Sequence, residues 1–159
     1  MLVGEMPGDR EDRAGRVFVG PAGRELDKAL ERVGIARAEV YITNVVKHFK
    51  FSARGKRRIH QTPKKSEVDA CLPWLREELA VVRPEVLVIL GATAGKALLG
   101  SGFKLTPARG RPIESGLAGH VTATVHPSAI LRAPDDEARH AEREAFTADL
   151  RTVAGRLAG

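Results

Sequence analysis

The stretch Val86-Leu87-Val88-Ile89-Leu90-Gly91, followed by Ala92 to Leu99, decides the fold. Five consecutive apolar residues closed by a glycine read as a short, fully buried strand, and the segment after it reads as a helix. The same alternation extends in both directions. Upstream, a helix is expected to start near Ser66, with Asp69 three residues on as a capping pair. It carries Val68, Cys71, Leu72, Leu75 and Leu79 and ends before Pro84. Val40 to Val46 is β-branched and reads as a strand. Glu25 to Val33 places Leu26, Ala29, Leu30 and Val33 on a helical stripe stopped by Gly34. Leu2 to Glu5 reads as a strand running into the turn Met6-Pro7-Gly8-Asp9. Downstream, a Gly- and Pro-rich stretch reaches Gly119, Val121 to Val125 forms a fourth strand, and a long helix starts near Asp136. Alternating strands and helices imply parallel βαβ units. The expected fold is α/β: a three-layer α/β/α sandwich with a central, mainly parallel four-stranded sheet, in a single domain over residues 1–159.

Composition narrows the function classes. The 159 residues are 43% hydrophobic and 29% charged, an ordinary globular balance. The single cysteine excludes an internal disulfide framework and fits a reducing compartment. The apolar runs are far too short for a membrane span, and no basic-then-apolar leader opens the chain, so no membrane partner and a cytoplasmic location are expected. Net charge is +6, and between Lys47 and Lys65 stand eight basic residues and no acid. All of the positive excess therefore lies in one segment, punctuated by Gly55 and Thr62-Pro63 and expected to be a loop. It points to a local anionic partner; the alternative is a solvated loop.

In open parallel sheets ligands gather at the carboxyl ends of the strands. The Glu5 turn, Asn44, the Gly91 turn and His126 all fall there, so one crevice can collect them. Around these positions stand Gly4-Glu5-Met6-Pro7-Gly8, Phe18-Val19-Gly20-Pro21-Ala22-Gly23-Arg24, Thr43-Asn44-Val45-Val46-Lys47 and His126-Pro127-Ser128. In this order they resemble the uracil-DNA glycosylase superfamily, in its iron–sulfur-containing branches. Gly55-Lys56-Arg57-Arg58-Ile59-His60 resembles the loop of the X-type members (UdgX), which excise uracil and stay covalently attached to DNA. The resemblance runs from residue 1 to the last helix.

The chemistry implied by this resemblance suits the residue types. Uracil must leave the stack, be read, depart as an anion and leave a sugar cation that something traps. Asn44 reads the base, because a carboxamide both donates and accepts. Phe18 stacks on it, and Met6 packs beside it. His126 stabilises negative charge on the leaving base. Glu5 faces the sugar, and His60 captures the sugar cation as a neutral imidazole nucleophile. Lys56, Arg57, Arg58, Ser128 and Arg132 hold the DNA; cheaper flipping favours single strands, and a monomer is expected. Each has a plainer alternative: Phe18 and His126 as packing residues, Asn44 as a turn residue, Glu5 as a carboxylate bonded to its own turn, His60 as one more loop histidine.

Two departures from the family pattern stand out. Met6 replaces the glutamine usual in X-type members and the alanine of the nearest hydrolytic branch. The family also implies a [4Fe–4S] cluster, normally held partly by a Cys-x-x-Cys upstream of the first strand. Only Cys71 and His48 match ligand positions here, so the chain is expected to lack the N-terminal cluster-binding segment. The favoured expectation is thus a single-turnover uracil-DNA glycosylase of DNA repair ending as a His60–DNA adduct. The alternatives are a hydrolytic, multiple-turnover glycosylase of base excision repair and a decayed DNA-binding module. A nucleotide-binding protein is disfavoured, since no phosphate-loop or dinucleotide fingerprint is present.

Overall fold

Val86–Leu90 is a strand with every residue buried, and it lies inside a four-stranded sheet. The structure, a computed structural model, describes residues 1–158. The sheet consists of β1 (Leu2–Gly4), β2 (Ile42–Asn44), β5 (Val86–Leu90) and β6 (His120–Thr124), in the spatial order β2-β1-β5-β6. All three pairings are parallel, with Leu2 opposite Ile42 and Val88, and Val86 opposite His120. The expected α/β architecture is the one observed.

Because side chains alternate along a strand, β5 supplies both faces. Val86, Val88 and Leu90 pack with Leu26 and Leu30 of α2 (Pro21–Arg32), Ile130 of α6 (Ser128–Leu131), and Phe146 and Leu150 of α7 (Asp136–Leu157). Leu87 and Ile89 turn the other way, toward Val68, Cys71 and Leu75 of α3 (Lys65–Val82) and Ala94 of α4 (Ala92–Leu99). Each fully buried aliphatic side chain of this kind contributes about 1.5–3 kcal/mol. The helices that flank the sheet are therefore held by the same five-residue strand, which leaves the strand ends as the exposed seam between the layers. The Gly- and Pro-rich stretch adds one short helix, α5 (Leu105–Ala108).

Three local expectations are corrected. The basic segment is not a loop: it folds as an antiparallel hairpin, β3 (Phe51–Arg54) and β4 (Arg57–His60), with Phe51 opposite His60 and Arg54 opposite Arg57. Gly55 takes φ 60° in the two-residue connection, the positive value that tight hairpin turns need. Neither strand has a buried residue, so no alternation of apolar and polar residues marks it in the sequence. Helix α3 begins at Lys65, next to the expected start, but its cap is made by Glu67, whose carboxylate accepts from the Lys64 amide at 2.6 Å. Asp69, the expected capping partner, pairs instead with Lys65. Finally, the turn after β1 continues into a helix, α1 (Asp9–Ala14), whose residues are charged except Ala14 and which has no buried residue to reveal it.

Candidate active site

The carboxyl ends of the four strands open into one cavity of about 990 Å3. Glu5, Met6, Phe18, Asn44, His60, His126, Ser128 and Arg132 all line it, although they are scattered over more than 120 residues of chain. The floor depends on missing side chains. A Cβ on Gly4 would lie 2.6 Å from Asn44 Oδ1 and 2.8 Å from Phe18 Cζ. A Cβ on Gly23 would lie 1.8 Å from the Phe18 carbonyl oxygen. That close approach supports Phe18 in the left-handed region, at φ 50°, a conformation that costs a bulky residue energy and is found mainly where a site demands it. The Phe18 ring is buried and stands 5.6 Å from the His126 ring, tilted by 31°.

Asn44 ends β2 and is 4% exposed. Its Oδ1 is buried with no hydrogen-bond partner among the described residues. A buried acceptor without a donor costs about 1–3 kcal/mol, so this atom is poised for a donor that arrives with a ligand. Met6, also buried, lines the same pocket and gives it an apolar wall.

His126 is fixed through Nδ1. The Ser128 amide approaches Nδ1 at 3.1 Å and the Ser128 hydroxyl at 2.8 Å, while Arg132 Nη1 donates to that hydroxyl oxygen at 2.7 Å. An amide N–H can only donate, so Nδ1 is the acceptor and Nε2 carries the proton of the neutral ring. Desolvation pushes the His126 pKa down to about 4, against the opposing pull of the Glu5 charge. At neutral pH the ring is thus an uncharged N–H donor.

His60 reaches the cavity from the end of β4. Its Nε2 lies 3.0 Å from Glu5 Oε1, where the carboxylate accepts the ring N–H, and its side chain is 52% exposed. Lys56 and Arg57 are exposed at the hairpin tip. Arg58 differs. Its guanidinium pairs with Asp9 and Asp12 of α1, donates to the Asp9 carbonyl at 3.3 Å, and lies over the rings of Phe49 (5.2 Å) and Phe51 (4.8 Å). These bonds raise its pKa, the Asp12 hydrogen bond foremost. The residue expected to grip phosphate instead latches the hairpin to the helix that follows Glu5. Glu11, which the sequence reading passed over, helps close the same loop by accepting from the Gly20 amide at 2.7 Å. Leu131, likewise passed over, is 40% exposed at the rim. Its only sequence signal is an apolar residue beside Arg132.

Cys71 and His48 meet outside the cavity, with Sγ and Nε2 3.8 Å apart. Such a pair supplies two donors where a [4Fe–4S] cluster takes four. Among the described residues no group of three or more His, Cys, Asp or Glu side chains is arranged to hold a metal. These residues do not by themselves fit the cluster. Among the described residues no helix is long and apolar enough to cross a membrane.

Residues 1–151 match the family described as the uracil DNA glycosylase superfamily. A type-4 uracil-DNA glycosylase of Pyrobaculum aerophilum is 40% identical over 141 residues, covering 84% of this chain and 68% of that protein. The type-4 enzyme of Thermotoga maritima is 39% identical over 140 residues, covering 87% and 69%. That of Archaeoglobus fulgidus is 33% identical over 166 residues, covering 100% and 76%.

Proposed function

Because the chain belongs to the uracil DNA glycosylase superfamily, we propose that it excises uracil from DNA, as a DNA-repair enzyme acting through one domain, and then captures the sugar through His60. The observation that carries excision is the buried, partnerless Oδ1 of Asn44. Uracil presents N3–H as a donor, which this acceptor satisfies, and O4 as an acceptor for the amide nitrogen. Cytosine reverses both groups and leaves Oδ1 facing another acceptor. Phe18 supplies a stacking face, worth about 1–3 kcal/mol per base. His126 Nε2–H donates to O2 as the glycosidic electron pair moves onto the base. A neutral donor placed beforehand in a desolvated site stabilises that charge without reorganising. Leu131 at the rim suits the gap that the extruded base leaves in the stack.

The His60–Glu5 pair supports capture. As C1′ develops cationic character, the C1′–N1 bond breaks and its electron pair leaves with uracil. His60 Nε2 forms the new bond to C1′ while Glu5 accepts the proton that Nε2 held. The product is a neutral alkylated imidazole, a poor leaving group without acid. Hydrolysis is the second reading, favoured by the similarity to relatives named type-4 glycosylases. In it Glu5 accepts a proton from water, and His60 takes no part. Lys56 and Arg57 contribute phosphate contacts in either reading, and uracil-containing DNA, single strands first, is the partner of a monomer in the cytoplasm. Any [4Fe–4S] cluster would need donors beyond Cys71 and His48, and no step here passes through it.

A denaturing gel of the chain with a uracil-containing single-stranded oligonucleotide tests the proposal, with a thymine control. A heat- and detergent-resistant slow band that His60→Ala abolishes is expected. An alkali-labile strand without a slow band would establish hydrolysis instead.

A further inference from the structure

Strand β2 is an edge of the sheet and, among the described residues, pairs only with β1. The Leu2 amide donates to the Tyr41 carbonyl and the Val45 amide to the Gly4 carbonyl, so alternate residues of β2 face β1. By that alternation the Asn44 carbonyl falls on the open edge, where no strand can hold it. Lys47 holds it instead. Its Nζ donates to Asn44 O at 2.7 Å, to Thr43 Oγ1 at 2.9 Å and to Glu78 Oε2 at 2.6 Å, which uses all three ammonium protons. Glu78, on α3, also accepts from Thr43 Oγ1 at 2.9 Å and from the Tyr41 hydroxyl at 3.0 Å. The Lys47 and Glu78 side chains are 25% and 23% exposed, too enclosed for water to replace these bonds freely. One helix thereby clamps the last two residues of the edge strand, and the side chain of the second is the one whose Oδ1 waits in the pocket.

We infer that Lys47 and Glu78 are positioning residues for base recognition: they fix the peptide of Asn44 so that its amide meets the uracil edge. Lys47, counted by charge with the basic segment, then has no DNA phosphate to contact. The inference rests on the glycosylase reading and deepens it.

The test is a double-mutant cycle on uracil release from a single-stranded oligonucleotide under single-turnover conditions. Lys47→Met keeps most of the length of the side chain and removes the charge. In the native background it is expected to slow release by about 10- to 100-fold, the range for a lost charge-assisted hydrogen bond. In an Asn44→Ala background it should change release by less than about twofold, because the two residues act as one unit. Affinity for uracil-free DNA should keep its salt dependence. Equal slowing in both backgrounds, or a salt slope for uracil-free DNA reduced by about one, would overturn the inference and make Lys47 a phosphate contact. Where Lys47→Met fails to fold, Glu78→Gln, which keeps Lys47 and weakens its tether, runs through the same cycle with the same outcomes deciding. Native chain that releases uracil together with an unaffected Lys47→Met defeats the inference alone. Native chain that releases none defeats the glycosylase reading and the inference with it.

Discussion

The strand-end crevice and the basic hairpin supply one cavity, yet they are held in opposite ways. Asn44, Phe18 and Met6 are buried, and the backbone beneath them is packed so closely that a methyl group on Gly4 or Gly23 has no room. The hairpin buries none of its eight strand residues. It is attached chiefly by polar bonds: Arg58 to Asp9 and Asp12, Lys50 to Glu67, and His60 to Glu5. The proposed base-reading residues thus rest on tight packing, whereas His60, the capturing group of the proposal, sits on a hairpin whose strands bury no residue. The difference separates the two proposed steps physically, so each half can be tested without the other.

The largest effect is expected inside the crevice. His126→Ala removes the proposed donor to uracil O2 and should slow uracil release by about 10²–10³-fold, with the far-ultraviolet circular dichroism unchanged. A defect confined to adduct formation, with release intact, would break the division between reading and capture.

The pH dependence of stability sharpens the same point. His126 has a folded pKa of about 4 against 6.5 in the unfolded chain, so the unfolded state binds more protons between these values. Stability should therefore fall as pH drops from about 6.5 toward 4, by on the order of 2–3 kcal/mol from this residue. Thermal melts of the native chain and His126→Gln should converge across that window. Parallel curves would mean that the ring is not desolvated.

Releasing the hairpin should act on capture alone. Arg58→Ala is expected to lower adduct yield about tenfold, in keeping with the loss of charged hydrogen bonds, while uracil release changes no more than threefold or so. Equal loss of both would show that the hairpin also shapes the reading pocket. The smallest effect belongs to its tip. Lys56→Ala or Arg57→Ala should weaken binding to uracil-containing and uracil-free strands alike and lower the salt slope by about one each.

How legible each half was in the sequence follows from the same contrast. The unbroken apolar run of β5 fixes a doubly covered strand, and strand ends are where Asn44 and His126 had to emerge. Burial writes itself into periodicity, and the sheet and its crevice could be read from it. The hairpin left no such trace, because Phe51, Ser52, Ala53 and Arg54 are all exposed. The inward turn of Arg58 was equally hidden, since its partners Asp9 and Asp12 lie more than 45 residues away in sequence. Met6 is visible as a departure in the sequence, but only the structure shows it as a buried wall of the pocket. Lys47 was counted among the basic residues of the segment, although its three bonds all stay within the protein.

Intact-mass analysis after incubation with a uracil-containing oligonucleotide tests the central claim most directly. The predicted species has the mass of the chain plus the oligonucleotide minus one uracil, and peptide mapping places the added sugar on His60. Unmodified protein beside an abasic oligonucleotide would contradict capture and leave Glu5 directing water as the chemistry of this site.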